Sequence, residues 1–158
     1  EGTGVNWQNR GCSFALHPEA LNSLRPGRKP FHTLNPALAV LRDGRILVYG
    51  AMGGDGQPQS QAAVFTRIAV FGMDPQSAVA APRWLLGRNW GETRDSLRIE
   101  SRFPAGVPAA LGNFGHDGIE VVAAYDEVMG HAGAIVRHPD GVMEGGADPR
   151  SDGCVAAY

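Results

Sequence analysis

Apolar residues follow two rhythms along this chain. Ala37 to Leu41 and Ile46 to Gly50 are short apolar runs on either side of Asp43-Gly44. Short runs flanking an Asp-Gly pair read as the two strands of a hairpin. After the second run the period lengthens. Val64, Ile68 and Phe71 recur at i, i+4 and i+7, and Phe65 and Ala69 widen the stripe. That spacing predicts a helix from about Pro58 to Phe71, buried on most sides. Asp74-Pro75 is an N-cap followed by a first-turn proline, so a second helix starts there and stops near Pro82. Leu97 to Glu100, Ile119 to Ala123 and Ala132 to Arg137 read as strands, and Pro139-Asp140-Gly141 turns the last of these into Val142-Met143-Glu144. Gly106 to Phe114 reads as a helix with Pro108 in its first turn. Near the start, part of Val5 to Phe14 alternates like a strand. Ser13 to Lys29 reads as a surface loop with a short helical turn at Pro18 to Leu21. Hairpin-linked strands with helices grouped between them predict an α+β fold, an antiparallel sheet covered by helices. No repeat or linker divides residues 1–158, so one domain is expected.

Composition narrows the class. The chain has 158 residues, 43% of them hydrophobic, enough for a real core. The 22 glycines suit a turn-rich sheet protein better than a helical bundle. A net charge of −2 gives no electrostatic case for nucleic acid. No apolar run approaches the roughly 18 residues of a membrane span. Cys12 and Cys154 have neither C-x-x-C nor zinc spacing and read as small apolar residues. The histidines at 17, 32, 116, 131 and 138 match no ligand motif, so neither a metal nor a cofactor is expected.

The sequence with the most chemistry in it is Gly50-Ala51-Met52-Gly53-Gly54-Asp55-Gly56-Gln57-Pro58-Gln59, a glycine turn between strand and helix. Adjacent glycines let backbone N–H groups approach a ligand where a Cβ would clash. Donors at a helix N-terminus favour negative charge. Such a turn can hold a phosphate, a carboxylate or the oxyanion of an acyl-transfer transition state. Its setting reads in order Arg28-Lys29-Pro30-Phe31-His32-Thr33-Leu34-Asn35-Pro36, then Ala81-Pro82-Arg83-Trp84, Leu97-Arg98-Ile99-Glu100, and Gly146-Ala147-Asp148-Pro149-Arg150-Ser151-Asp152-Gly153. The ordered set resembles the small subunit of the γ-glutamyltransferase (γ-glutamyltranspeptidase) family over essentially the whole chain.

The resemblance implies an N-terminal-nucleophile hydrolase fold, an αββα sandwich of which this chain is a part. It makes residues 1–158 the C-terminal part of the small, catalytic subunit of a self-cleaving precursor. The partners it implies are the large subunit of that precursor and a γ-glutamyl or related acyl-amide substrate. The nucleophile would be a threonine whose own α-amine is the base, roughly thirty residues before Glu1. Thr3 lacks a free amine, and this chain alone would be inactive. The family's oxyanion hole falls on Gly53 and Gly54. Substrate-binding positions fall on Asn9, Arg10, Ser13, His32 and Thr33. Here the sequence departs from the family. A serine pair after Pro-Leu is replaced by His32-Thr33 after Pro30-Phe31, and the acidic residue that holds an α-ammonium is replaced by Ser13. Arg10 is left as a clamp for a carboxylate. The expected activity is acyl transfer or amide hydrolysis on γ-glutamyl compounds such as glutathione. Oxamate-type amidohydrolases and glutaryl-type cephalosporin acylases are the alternatives, since their substrates carry a carboxylate and no α-ammonium. The compartment stays open between the periplasm and cytoplasm of a bacterium.

Other readings stand beside these. A catalytically silent binding or assembly module on the same fold would also tolerate the substitutions. A phosphate-binding enzyme is weaker, because Gly50 to Gly56 lacks the ending of a P-loop and the spacing of a dinucleotide fingerprint. Asp148 and Arg150 read as a structural ion pair, Asp55 as a helix N-terminal charge, and Trp84 and Trp90 as core or interface residues.

Overall fold

The computed structural model describes residues 2, 9–88 and 96–157. They fall into two compact units, residues 1–34 and 35–158. In the first, Arg10–Ser13 is a 3-10 turn rather than the expected strand, and Val5 to Gln8 lie outside the described residues. The Ser13–Lys29 loop closes on itself through an Ala15–Ser23 bridge. Pro18 and Glu19 form a plain turn there instead of helix. Ser23 is buried, and its hydroxyl accepts hydrogen bonds from Arg25 Nε at 2.9 Å and Arg28 Nη1 at 3.2 Å.

The second unit is built on a four-stranded antiparallel sheet, order β1-β2-β6-β7. Its strands are β1 (Ala37–Val40), β2 (Ile46–Met52), β6 (His131–Arg137) and β7 (Met143–Ala147). Asp43-Gly44 makes the first hairpin as expected. Gly44 takes φ +87°, and the Asp43 carboxylate accepts the Arg45 N–H at 3.0 Å. Asp140 does the same for Val142, also at 3.0 Å, in the second hairpin. Both turns set the register, and the register puts Leu47, Ala132, Ala134 and Val136 in the core. Two helices cover that face. The first, α1 (Gln57–Ala69), buries Val64 and Ile68. Phe71 lies beyond its end and is 75% exposed, so the apolar stripe is shorter than the periodicity implied. The second, α2 (Pro75–Ala80), is capped by Asp74, whose carboxylate accepts the Ser77 N–H at 2.8 Å. Arg67 of α1 closes its far end by donating to the carbonyls of Ala78 and Pro82. The opposite face of the sheet carries Leu38, Val48, Met52 and Ile135, all substantially exposed.

A second sheet, order β3-β4-β5, contains β3 (Trp84–Leu86), β4 (Leu97–Glu100) and β5 (Glu120–Val122). The β4–β5 pair is parallel, whereas the other strand pairs among the described residues are antiparallel. The third helix, α3 (Gly106–Asn113), follows β4. No helix among the described residues is long and apolar enough to cross a membrane.

Candidate active site

β2 ends at Met52 and the chain enters the glycine turn. Gly54 has φ +51°, a left-handed value that suits glycine. Gly54–Gly56 form a 3-10 turn that runs directly into α1, with Gly56 N–H donating to the Gly53 carbonyl at 2.9 Å. No side chain caps this helical start. Among the described residues, no hydrogen bond uses the Gly53 or Gly54 N–H. The turn therefore presents the uncompensated donors of a helix N-terminus, at the positive end of its dipole. Gly56 carries no Cβ because one would meet Leu85 Cδ1 at 2.8 Å. Asp55 is exposed and pairs with Arg88 at 3.0 Å.

What holds the turn comes from the other side. Gly130, φ +70°, backs directly onto it: a Cβ on Gly53 would stand 3.2 Å from the Gly130 Cα. A Cβ on Gly130 would fall on the Met52 carbonyl. Neighbouring Met129 accepts the Ser60 hydroxyl at 3.3 Å. The Gly130 carbonyl accepts from Arg83 Nη2, which also binds the Asp148 carboxylate. Asp148 in turn accepts the Ala132 N–H at 2.7 Å.

Asp148 and Arg150 thus belong to something larger than a pair. Arg150 donates to Asp148 Oδ1 at 2.9 Å, and to Glu100 Oε1 at 2.7 Å and Oε2 at 2.6 Å. Glu100 also accepts the Arg83 N–H at 3.0 Å and Arg102 Nη2 at 2.8 Å. Arg83, Glu100, Asp148 and Arg150 are all buried. Tyr125 lies over the Arg102 guanidinium, 3.7 Å from the ring centroid. Burial is the largest influence on both carboxylates and pushes them up. The surrounding guanidinium and backbone donors outweigh it and hold Glu100 and Asp148 below their ordinary values. Burial moves Arg83 down, whereas the bonds from Glu100 and Asp148 leave Arg150 raised against the same burial. The sequence motifs contained Arg83 and Glu100, but no spacing rule joins residues that lie so far apart along the chain.

Four of the five expected substrate-binding residues are linked to one another within residues 9–34. Arg10 Nη1 donates to the Thr33 hydroxyl at 2.7 Å, and Nη2 makes a long 3.5 Å contact with Asn9. The Ser13 hydroxyl lies 2.7 Å from the Arg10 carbonyl and 3.2 Å from that of Phe31. His32 is turned back on its own chain, Nδ1 accepting the Leu34 N–H at 3.2 Å. Cys12 and Cys154 are free and exposed, so neither fills the apolar role the sequence suggested. Trp84 is 39% exposed and lines an apolar cavity of about 330 Å³ with Leu97, Phe103 and Leu111; Trp90 lies outside the described residues. Gly53 and Gly54 line neither this cavity nor one of about 570 Å³ on the open sheet face. No group of three or more potential metal ligands occurs among the described residues.

A glycine turn feeding a helix from a sheet, with antiparallel strands stacked under helices, makes an α+β arrangement, and its likeness to solved acylase and transpeptidase structures makes it an N-terminal-nucleophile hydrolase fold. The structure of a cephalosporin acylase from Bacillus halodurans shares it at a TM-score of 0.69 and 35% identity, covering 99% of this chain and 28% of that one. The gamma-glutamyltranspeptidase family model matches residues 1–158, and the chain belongs to that family. It is 58% identical to an oxamate amidohydrolase proenzyme of Klebsiella pneumoniae over 99% of its length. It is 46% identical to a glutathione hydrolase-like proenzyme of Bacillus subtilis over 96%. The chain spans 29% of the length of each of these relatives.

Proposed function

We propose that this chain is the small-subunit part of an amidohydrolase that cleaves a short amide bearing a carboxylate and no α-ammonium, with oxamate the foremost candidate. The nucleophile is a threonine upstream of Glu1, freed by self-cleavage of the precursor. Its hydroxyl adds to the amide carbonyl while its α-amine takes the proton. The carbonyl oxygen becomes an oxyanion and receives the Gly53 and Gly54 N–H groups. Collapse expels the amine and leaves an acyl-enzyme, which water then hydrolyses. The large subunit of the same precursor completes the molecule, and the exposed apolar sheet face suits the second sheet of the sandwich.

The observation that supports the substrate class is the Arg10 guanidinium, which donates to Thr33 and lies beside Asn9, with Ser13 at the position where typical γ-glutamyltransferases have an acid. A planar fork suits a carboxylate, while the missing acid leaves an α-ammonium without its partner. The high identity to an oxamate amidohydrolase supports the same reading. Glutathione or another γ-glutamyl donor is the second reading, favoured by the 46% relative. The test is turnover of oxamate, a glutaryl anilide and a γ-glutamyl anilide by the full-length, self-cleaved protein. Preference for oxamate or the glutaryl amide supports the proposal. Preference for the γ-glutamyl anilide establishes the second reading, and turnover of none of them favours a silent assembly module.

A further inference from the structure

We propose that Arg83 is a positioning residue for the oxyanion turn, acting through Gly130. The inference rests on the reading of Gly53 and Gly54 as oxyanion donors. Oxyanion stabilisation depends on donors fixed before the charge develops, since donors that must reorganise give up most of their advantage. The glycine turn has no side-chain cap to fix it. Its support is the backbone of Gly130, so close that a Cβ on Gly130 would fall on the Met52 carbonyl and one on Gly53 would crowd the Gly130 Cα. That support is itself tied down at three points: Ser60 to the Met129 carbonyl, Arg83 to the Gly130 carbonyl, and Asp148 to the Ala132 N–H. Among the described residues, Arg83 is the one side chain that grips Gly130 itself, and through Asp148 it also joins the third point.

Arg83 is an expensive way to gain stability. It is 1% exposed, and its Nε and Nη1 atoms are buried without a partner among the described residues. Replacing both members of a buried ion pair by apolar side chains is often neutral or stabilising, so a buried pair is weak evidence of a stabilising role. Arg150 and Arg102 already face Glu100, and Arg150 faces Asp148. The carboxylates therefore keep counter-charge without Arg83. Among the described residues, no other replaces the grip on the Gly130 carbonyl.

The experiment uses the complete self-cleaved protein and compares Arg83→Met, Arg83→Lys and Gly54→Ala with the parent. It reads kcat, KM, the melting temperature and the affinity for a boronic-acid analogue of the substrate acyl group, which forms a tetrahedral adduct with the nucleophile. For Arg83→Met, kcat and boronate affinity should fall together by about 10- to 100-fold, the scale of a small misplacement at a reacting centre. KM should stay within about threefold, because the loss lies in the transition state, and kcat is read per folded, self-cleaved molecule, since removing one member of a buried pair also lowers the melting temperature. Arg83→Lys, which restores one charged donor, should recover most of the lost kcat. Should Arg83→Met fail to fold or cut itself, Ser60→Ala loosens the same support from the other side and should lower kcat and boronate affinity together, with KM unchanged. Unchanged kcat, or a fall in kcat matched only by loss of folded protein, would overturn the positioning role. If Gly54→Ala weakens the boronate and the Arg83 and Ser60 variants do not, the positioning claim fails and the oxyanion reading survives. If none of them does, the oxyanion reading itself fails.

Discussion

Replacing Glu100 by Gln tests the buried ionic cluster with almost no change of volume. Glu100 Oε2 accepts three donors, from the Arg83 backbone, Arg102 and Arg150, and Oε1 accepts a fourth from Arg150 Nε. A glutamine must point its NH₂ at either one donor or three. In the better orientation the amide still faces Arg150 Nε, a donor against a donor, and the negative charge is gone. Asp148 is then the only buried carboxylate left in the cluster for Arg83 and Arg150. Breaking a buried pair from one side costs about 3–5 kcal/mol, because the remaining charge is uncompensated. A domain of this size has roughly 5–15 kcal/mol in total. A domain of roughly 150–250 residues shifts by about 2–4 °C per kcal/mol and a longer protein by less, so the melting midpoint of the full-length protein should drop by a few degrees. The assay is thermal unfolding of the full-length protein at neutral pH, followed by near-ultraviolet circular dichroism. Glu144→Gln is the control: its pair with His138, 3.1 Å long, is exposed and contributes about 0–1 kcal/mol. A Glu100→Gln shift no larger than the control's would refute the reasoning.

The same cluster sets an acid limit. Glu100 and Asp148 lie below their unfolded values, so their contribution is fully present above about pH 5 and is lost as pH falls through and below the ordinary carboxylate range. Urea midpoints should be flat from pH 5 to 7 and decline below; a flat profile down to pH 3 would contradict this. Gly146→Ala should cost about 1–3 kcal/mol or more, because its Cβ would land on the Pro75 carbonyl at the start of α2; an unchanged urea midpoint would show that the helix does not sit so close. Arg10→Met should raise KM for a carboxylate-bearing amide about tenfold or more and leave kcat nearly unchanged, as expected when binding is lost equally from ground and transition states. An unaltered KM would remove Arg10 from substrate recognition.

Much of the fold was legible because it is locally encoded. The Asp43-Gly44 and Asp140-Gly141 turns, the Asp74 cap and the strands beside them each rest on residues a few positions apart. The glycine turn was legible for the same reason. The expected strand before Phe14 failed at Arg10–Ser13, where side-chain bonds to Thr33 and the Phe31 carbonyl outweigh alternation. β3 escaped notice because it has only three residues, and its pairing with β4 decides its shape. The Arg83–Glu100–Asp148–Arg150 cluster was invisible to spacing rules for a different reason. Its members come from three separate segments that the sheets bring together, and a buried arginine has no periodic signature. His32 entered the candidate list by position in the family pattern, and the structure turns its ring to its own backbone.

The central claim is that this chain supplies the oxyanion donors while a threonine outside it attacks the substrate. Trapping the acyl-enzyme with a slowly hydrolysed amide, then locating the added mass by peptide mapping of the full-length protein, tests it most directly. The account predicts the acyl group on the amino-terminal threonine of the cleaved small subunit, upstream of Glu1. An acyl group on any side chain of residues 1–158 would contradict it.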